Sequence, residues 1–266
     1  MEDSFGRKIS YLRISVTDRC NLRCVYCMPE GGVKLLSHSQ ILSFDQIVDF
    51  VQCAVNEGIN KVRITGGEPL VRKGIVTLVE MLAQIKGIQD LSMTTNGILL
   101  SEFANQLKEA GLHRINISLD TVNPERYREM TRGGELQQVL KGIEAAKSAG
   151  LTPIKINCVI EQSEDEQDAV SVKEFCKANG LTCRFIPVMN LEKGEFGQVI
   201  GGEGGRCAIC NRLRLTATGK LKPCLFSNLE YDILQLGYKE AIYSALKNKP
   251  SKGEINNNGE FYNIGG

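Results

Sequence analysis

Three cysteines near the start of the chain have the spacing of iron–sulfur cluster ligands. Cys20, Cys24 and Cys27 form the pattern C-x3-C-x2-C. A cubane cluster normally takes four protein thiolates, so three thiolates leave one iron with an open coordination position. A substrate or cofactor can bind that iron, and the spacing therefore predicts chemistry rather than simple electron storage. A structural zinc site is the alternative, but zinc prefers four ligands and the histidines, His38 and His113, are remote in sequence.

A second cysteine triplet lies in the C-terminal part of the chain. Cys207, Cys210 and Cys224 form C-x2-C-x13-C and again supply three ligands. Between them, Arg212 and Arg214 occupy alternate positions and so share one face of a predicted strand. Two guanidinium groups placed this way suit a polyanion, because each binds phosphate through paired hydrogen bonds. A zinc ribbon and a solvent-exposed charged strand are the alternatives for this segment.

The composition limits the remaining classes of function. The chain has 266 residues, 10 cysteines and a net charge of +1. A charge this small predicts no nucleic-acid or membrane partner, so anion binding must be local. The sequence has no bilayer-length apolar run and no signal-peptide pattern, and we expect a cytoplasmic protein. In that compartment many cysteines indicate metal or redox chemistry rather than disulfides.

Short apolar strands alternate with amphipathic helices and must position these residues. The predicted strands are Leu12–Val16, Lys61–Thr65, Asp90–Thr94, Arg114–Leu119, Pro153–Ile160 and Thr182–Val188. Helices are predicted at 44–57, 74–86, 102–110, 136–149 and 165–179. Six βα units at this spacing predict a parallel sheet covered by helices, as a doubly wound sheet or a partial (β/α)6 barrel. The candidate residues follow the carboxyl ends of successive strands, where active sites lie in both architectures.

The alternation ends after Val188. A glycine-rich segment at 194–205 is predicted to be a loop or linker. The turn Thr218-Gly219-Lys220 predicts a hairpin that returns Cys224 toward the other two cysteines of its triplet. A helix is predicted near 238–248, and the chain then becomes polar.

The segments around both triplets resemble the GTP 3′,8-cyclase family of the radical S-adenosylmethionine (SAM) superfamily. The runs that carry the resemblance are Leu12–Pro29, Arg63–Pro69, Met93–Gly97, Asn116–Asp120, Arg184–Met189, Cys207–Leu225 and Gly265-Gly266. In the superfamily, the open iron of the first cluster binds the methionine end of SAM, whose reductive cleavage yields a 5′-deoxyadenosyl radical. In the family, the open iron of the second cluster binds the guanine of GTP.

The resemblance implies a fold, a reaction and a set of partners. The fold is a partial (β/α)6 TIM-like barrel at residues 1–189, followed at residues 190–266 by a small C-terminal extension that binds the auxiliary cluster and ends in a Gly-Gly tail. The reaction converts GTP to 3′,8-cyclo-7,8-dihydro-GTP, the first step of molybdenum cofactor biosynthesis. Two [4Fe-4S] clusters and SAM are the implied cofactors. The implied partners are an external electron donor, the downstream pyranopterin monophosphate synthase and a second copy of the chain in a homodimer.

Individual site residues are implied by the same resemblance. The SAM site is lined by Tyr26, Gly67, Ser118, Arg184 and Met189. The GTP site is formed by Arg13, Arg63, Thr94, Lys155, Arg212, Leu213 and Arg214. The catalytic set is Cys20, Cys24, Cys27, Arg212 and Arg214, and all six cysteines of the two triplets are cluster ligands. Apart from the resemblance, Lys155 on an apolar strand requires an anionic partner.

The chain departs from the family in length. Members usually carry a longer stretch before the second triplet, where this chain has only 190–206, and the segment before Gly265 is also short. The chain is therefore either a compact relative or a trimmed one, and the barrel wall on that side is the part affected. Two other functions compete with the cyclase: a radical enzyme that modifies a peptide, and a non-catalytic zinc-bearing module.

Overall fold

A nine-stranded sheet organises the protein, and helices pack against it. The computed structural model describes residues 1–258 and 261–264. Within that range the strands are β1 (Tyr11–Ser15), β2 (Lys61–Thr65), β3 (Asp90–Thr95), β4 (Arg114–Ser118), β5 (Lys155–Ile160), β6 (Thr182–Pro187), β7 (Arg212–Leu215), β8 (Lys220–Lys222) and β9 (Tyr231–Asp232). The helices are α1 (Phe44–Asn56), α2 (Ile75–Ala83), α3 (Leu100–Glu109), α4 (Pro124–Thr131), α5 (Leu136–Ser148), α6 (Gln167–Ala178), α7 (Ile233–Leu236), α8 (Tyr238–Lys247) and α9 (Phe261–Ile264).

The strand order identifies a barrel wall. It runs β6-β5-β4-β3-β2-β1-β7-β8-β9, and β1 to β6 are parallel, each paired with the next strand in sequence. A doubly wound sheet reverses its order at a switch point, whereas consecutive order is that of a (β/α) barrel. The predicted α/β class is confirmed, with β6 and β9 at the two edges of the sheet.

The C-terminal strands extend this wall beyond β1. Strand β7 runs parallel to β1, with Tyr11 opposite Arg212 and Arg13 opposite Arg214. Strands β8 and β9 follow in antiparallel pairing. The predicted hairpin between β7 and β8 is present, and Gly219 at its turn has a φ of +85°, which glycine adopts without strain.

The apolar core lies between the sheet and the helices. Ile14 and Ile64 are opposite each other on β1 and β2 and are fully buried, as is Phe50 of α1. Each such side chain stabilises the fold by about 1.5–3 kcal/mol relative to exposure. Helix α1 begins with a capping box, because Ser43 Oγ accepts the Gln46 N–H at 3.2 Å and the Gln46 side chain accepts the Ser43 N–H at 2.9 Å.

The short segment 190–206, which we call the strap, covers the β6 side of the barrel. Ile200 forms an antiparallel bridge with Phe185 of β6, with N–H to O distances of 3.0 and 3.1 Å. The ring of Phe196 packs on that of Phe226, with centroids 4.5 Å apart. A second apolar cluster joins the strap to the C-terminal part of the chain and consists of Leu191, Leu225, Phe226 and Ile264. The shortened segment therefore still forms a wall.

None of the helices in the described part of the chain combines the length and apolar character that crossing a bilayer requires.

Candidate active site

A cavity of about 760 Å³ lies on the inner side of the sheet, and most of the predicted site residues line it. All six cysteines of the two triplets line it. The other predicted residues that line it are Arg13, Tyr26, Arg63, Gly67, Thr94, Ser118, Lys155, Arg184, Met189, Arg212 and Arg214. Leu213 does not: it is 1 % exposed and packs in the apolar core, because alternate residues of β7 face opposite sides of the sheet. The terminal Gly265-Gly266 lies outside the described residues.

The two triplets lie at opposite ends of the wall formed by β1 and β7. Cys20 follows the carboxyl end of β1, whereas Cys207 and Cys210 precede the amino end of β7. Because β1 and β7 are parallel and in register, the carboxyl end of β1 and the amino end of β7 lie at opposite ends of the strands. Strand residues rise about 3.3 Å each, so the triplets are separated by roughly 15–20 Å along the strand direction. Cys224 follows β8, which is antiparallel to β7 and returns the chain to the second triplet.

The loop with the first triplet is fixed to the end of β2. The N–H of Gly67 donates to the Thr17 carbonyl and that of Glu68 to the Arg19 carbonyl, both at 2.8 Å. A Cβ at position 67 would collide with the Arg19 carbonyl oxygen, so the contact requires glycine. The buried carboxylate of Glu68 accepts hydrogen bonds from the Thr95 hydroxyl and the Asn96 N–H, both at 2.7 Å.

Contacts with β4 and α4 complete the support of this loop. The Tyr26 hydroxyl donates to Asp120 at 2.7 Å, and the same carboxylate accepts the Val159 N–H at 2.7 Å. Burial raises the pKa of Asp120 to about 6, although these two hydrogen bonds favour its charged form. Arg132, at a φ of 53°, donates to the Met28 carbonyl at 2.9 Å and to the Arg23 carbonyl at 3.0 Å.

The electrostatic surroundings of the two triplets differ. Burial raises the pKa of Cys20 to about 11 and that of Cys24 to about 12, and the nearby carboxylates of Glu68 and Asp120 act in the same direction. At Cys210, burial also disfavours the thiolate, but the charge of Lys249, the hydrogen bond from the Arg212 backbone and the charges of Arg212 and Arg214 outweigh it and lower the pKa. At Cys224, burial raises the pKa although Lys249 and Arg214 act against it. Cations therefore act on these two cysteines of the second triplet, whereas carboxylates act on Cys20 and Cys24 of the first.

The cavity wall between the triplets is strongly cationic. Strand register places Arg214, Arg13 and Arg63 side by side on β7, β1 and β2. Nine lysines and arginines line the cavity against two carboxylates among the described residues. Burial lowers the pKa of Arg63 and of Arg214 to about 9, and the charge of Arg13 acts in the same direction. Positive charge held out of water in this way favours a bound polyanion.

Several polar atoms of this wall lack a protein partner. In the described part of the chain, the Arg13 Nε, Thr94 Oγ1, Arg184 Nε and Tyr11 hydroxyl are buried without a hydrogen bond. Buried polar groups are normally satisfied, so such atoms in a cavity indicate that a polar ligand belongs there. Three of the four are on residues that the sequence predicts to bind SAM or GTP.

Sequence reasoning did not identify four further residues that line the cavity: Tyr11, Lys61, Arg114 and Asn157. Tyr11, Lys61 and Asn157 are each two positions away from a predicted residue, and Arg114 is four positions from Ser118, so period-two alternation along the strands could have found them. Arg114 forms a paired ion bridge with Asp90, at 2.5 and 2.9 Å, which balances its charge.

The cysteine arrangement fits clusters better than zinc. Over residues 1–258 and 261–264, no three His, Cys, Asp or Glu side chains are arranged to hold one metal ion. A zinc ion would bring its thiolates within about 4 Å of each other, because Zn–S bonds are about 2.3 Å long. Three thiols that line a larger cavity instead fit a multi-iron cluster with an open position.

Comparisons with known proteins identify relatives of the chain. Residues 14–176 match the Radical SAM superfamily. The GTP 3′,8-cyclase of Alkaliphilus oremlandii is 41% identical over 303 residues, with 96% of this chain and 95% of the relative covered. That of Thermodesulfovibrio yellowstonii is 42% identical over 282 residues, covering 89% and 88%.

Solved structures share the fold at low sequence identity. Streptococcus suis SuiB bound to S-adenosylmethionine is 15% identical, with a TM-score of 0.62 over 89% of this chain and 65% of that one. The anSMEcpe protein with bound AdoMet is 20% identical, with a TM-score of 0.55 over 71% and 52%. At such identities these likenesses concern the fold alone.

Proposed function

The chain belongs to the GTP 3′,8-cyclase family of the radical SAM superfamily, and from this membership we propose which of its residues hold each cofactor and the substrate. The enzyme converts GTP to 3′,8-cyclo-7,8-dihydro-GTP in molybdenum cofactor biosynthesis. It uses SAM and an iron–sulfur cluster. That the second triplet holds a second [4Fe-4S] cluster is part of the proposal.

We assign the first cluster and SAM to the carboxyl end of the barrel. Cys20, Cys24 and Cys27 hold the cluster, and the SAM site is lined by Tyr26, Gly67, Ser118, Arg184 and Met189. When bound, the cluster and SAM supply the 5′-deoxyadenosyl radical that takes the 3′ hydrogen of the ribose. Glu68, Asp120 and Arg132 hold the loop in place through the hydrogen bonds described above, and the unpartnered Arg184 Nε is available to an anionic group of SAM.

We assign GTP to the space between the triplets. The excess of nine cationic side chains over two carboxylates is the observation that carries this assignment. Arg13, Arg63, Lys155, Arg212 and Arg214 are the charged residues available to the triphosphate, with Thr94 beside them. Cys207, Cys210 and Cys224 would hold the second cluster, and a set of three protein ligands would leave it a coordination position for the guanine. Residues 190–266 thus contribute the second triplet and two of these five cations, and residues 1–189 contribute the first triplet and the other three.

Other aspects of the function stay predictions. They are the external electron donor, delivery of the product to a pyranopterin monophosphate synthase, the homodimer and the cytoplasmic location.

Anaerobic binding and turnover of GTP test the proposal. In the double variant Arg212→Ala plus Arg214→Ala, each lost charge-assisted hydrogen bond costs about 1.5–3 kcal/mol, so we expect GTP affinity to fall at least about tenfold. SAM binding should be unchanged. Arg126→Ala plus Arg128→Ala, which removes two exposed arginines of α4, is the matched control. Equal GTP affinity in the two double variants would contradict the assignment of GTP to this wall.

A further inference from the structure

Lys249 is a buried lysine directly behind the second cysteine triplet. It follows α8 and is only 2 % exposed. Its Nζ donates a hydrogen bond to the Arg212 carbonyl at 2.8 Å and another to the Pro223 carbonyl. Arg212 lies two residues after Cys210, and Pro223 immediately precedes Cys224. One ammonium group therefore joins the two chain segments that carry the triplet.

The charge of Lys249 has no carboxylate partner in the described part of the chain. A buried ammonium is costly unless an anionic group compensates it. The groups whose negative charge would favour the charged form of Lys249 are the sulfur atoms of Cys210 and Cys224, and its two hydrogen bonds place it against the chain segments that carry them. Thiolate ligands at these two cysteines would therefore balance this cation.

A second buried cation supports the same region. Arg7 is 8 % exposed and donates to the Cys207 carbonyl at 2.9 Å. It also binds the carbonyls of Pro250 at 2.7 Å and Ser251 at 3.1 Å, just after Lys249. Its charge is balanced by Asp3, at 2.6 Å, so the arginine adds hydrogen bonds but little net charge. All three cysteines of the triplet are thus tied, directly or through a neighbour, to Arg7 or Lys249.

We propose that Lys249 is a positioning residue for the second cluster, which holds the Cys210 and Cys224 segments together and supplies the positive charge that balances the cluster. The inference rests on the proposed function, because it requires a cluster at this triplet. Cluster potentials depend on net charge and on hydrogen bonds to the sulfurs. A cation here stabilises the reduced, more negative cluster and so raises its reduction potential.

The test compares three lysine variants reconstituted anaerobically with iron and sulfide. Lys249→Met keeps the length of the side chain and removes its charge, whereas Lys249→Arg keeps the charge. Lys247→Met, two residues away and exposed on α8, is the matched control. The measurements are iron per chain and a potentiometric titration followed by electron paramagnetic resonance, with SAM binding as an independent report of an intact barrel.

We expect Lys249→Met either to lose about four of about eight irons, all from the second cluster, or to keep them with a second-cluster potential that is more negative. A tenfold fall in the ratio of reduced to oxidised cluster at a fixed applied potential corresponds to a shift of about 59 mV for one electron. Lys249→Arg and Lys247→Met should match the unmodified protein.

Two outcomes would overturn the role of Lys249 and leave the two-cluster proposal standing. One is full iron with an unchanged potential in Lys249→Met. The other is loss of both clusters and of SAM binding together, which would show that Lys249 stabilises the whole fold rather than the second cluster. Unmodified protein that binds only about four irons would instead overturn the two-cluster proposal, and the inference with it.

Discussion

At the scale of single residues, the partly buried cations of the cavity repel one another, and a bound polyanion would offset this repulsion. Lys155 on β5 lines the same cavity as Arg63, Arg114 and Arg184, whose positive charges disfavour its own, while Asp90 acts in the opposite direction. Burial, followed by these arginines, lowers the pKa of Lys155 to about 8. A triphosphate beside it would favour the charged form and raise the pKa again.

This shift predicts a pH dependence of GTP binding. Because the pKa of Lys155 is about 8 in the free protein and higher in the complex, binding takes up a proton above that pH. GTP affinity should therefore fall as the pH rises from about 8 toward about 10. Lys155→Met should bind GTP more weakly at neutral pH and lose this part of the slope. Anaerobic equilibrium binding measures both effects.

Lys141→Met, which removes an exposed lysine of α5, is the control and should keep both the affinity and the slope. A slope that survives unchanged in Lys155→Met would assign the titration to another group.

The residues assigned to the site differ in how readily they can be identified from the sequence. The cysteines and the arginine pair Arg212 and Arg214 are found by spacing, since their chemistry requires neighbours close in the chain. Lys249 could not be found this way. Its acceptors, Arg212 and Pro223, are 37 and 26 residues away, and only tertiary structure places them around its ammonium.

At the scale of elements, the strap is held by close backbone contacts. Gly205 has a φ of +76°, and a Cβ there would collide with the Gly197 carbonyl oxygen and approach the Gln198 Cα to 2.8 Å. Gly180 after α6 has a similar φ of +65°, but its Cβ would meet nothing within 4 Å. The two glycines share a conformation and differ in packing.

Alanine at each position should separate these effects. Gly180→Ala should lower the free energy of unfolding by about 1–2 kcal/mol, the cost of a left-handed alanine. Gly205→Ala should cost more, because strap backbone must also move. Urea unfolding of the cluster-free protein measures the difference. Equal losses in the two variants would show that the strap is not tightly packed at Gly205.

The elements themselves were largely predictable, with two informative exceptions. Predicted strand and helix limits agree with the structure to within a few residues, because period-two and helical patterns are local. Helix α4 was missed, since Pro124–Thr131 is mostly polar and only Tyr127 and Thr131 are buried. The pairing of β7 with β1 was also missed, because it joins residues about 200 positions apart and nothing local specifies it.

At the scale of the whole molecule, the two triplets lie at opposite ends of one cavity, so each should be removable without the other. Cys24→Ala should lose about four irons and SAM cleavage but keep its affinity for GTP. Cys224→Ala should lose about four irons and most GTP affinity but keep SAM binding. Iron analysis and binding assays on anaerobic protein measure these outcomes.

Cys53→Ala, at a half-buried position of α1 that does not line the cavity, should keep all of its iron. Loss of both clusters from either triplet variant would mean that the two sites fold as one unit.

The in-register pairing of β1 with β7 has a consequence for how the family tolerates changes in length. Main-chain hydrogen bonds between these strands set the separation of the triplets, and no residue of the strap takes part in that ladder. Insertions and deletions in the strap can therefore accumulate without altering the distance between the radical source and the nucleotide. The alignment with the Alkaliphilus oremlandii relative runs over 303 positions although the chain has 266 residues, so the two proteins differ in the length of some segments.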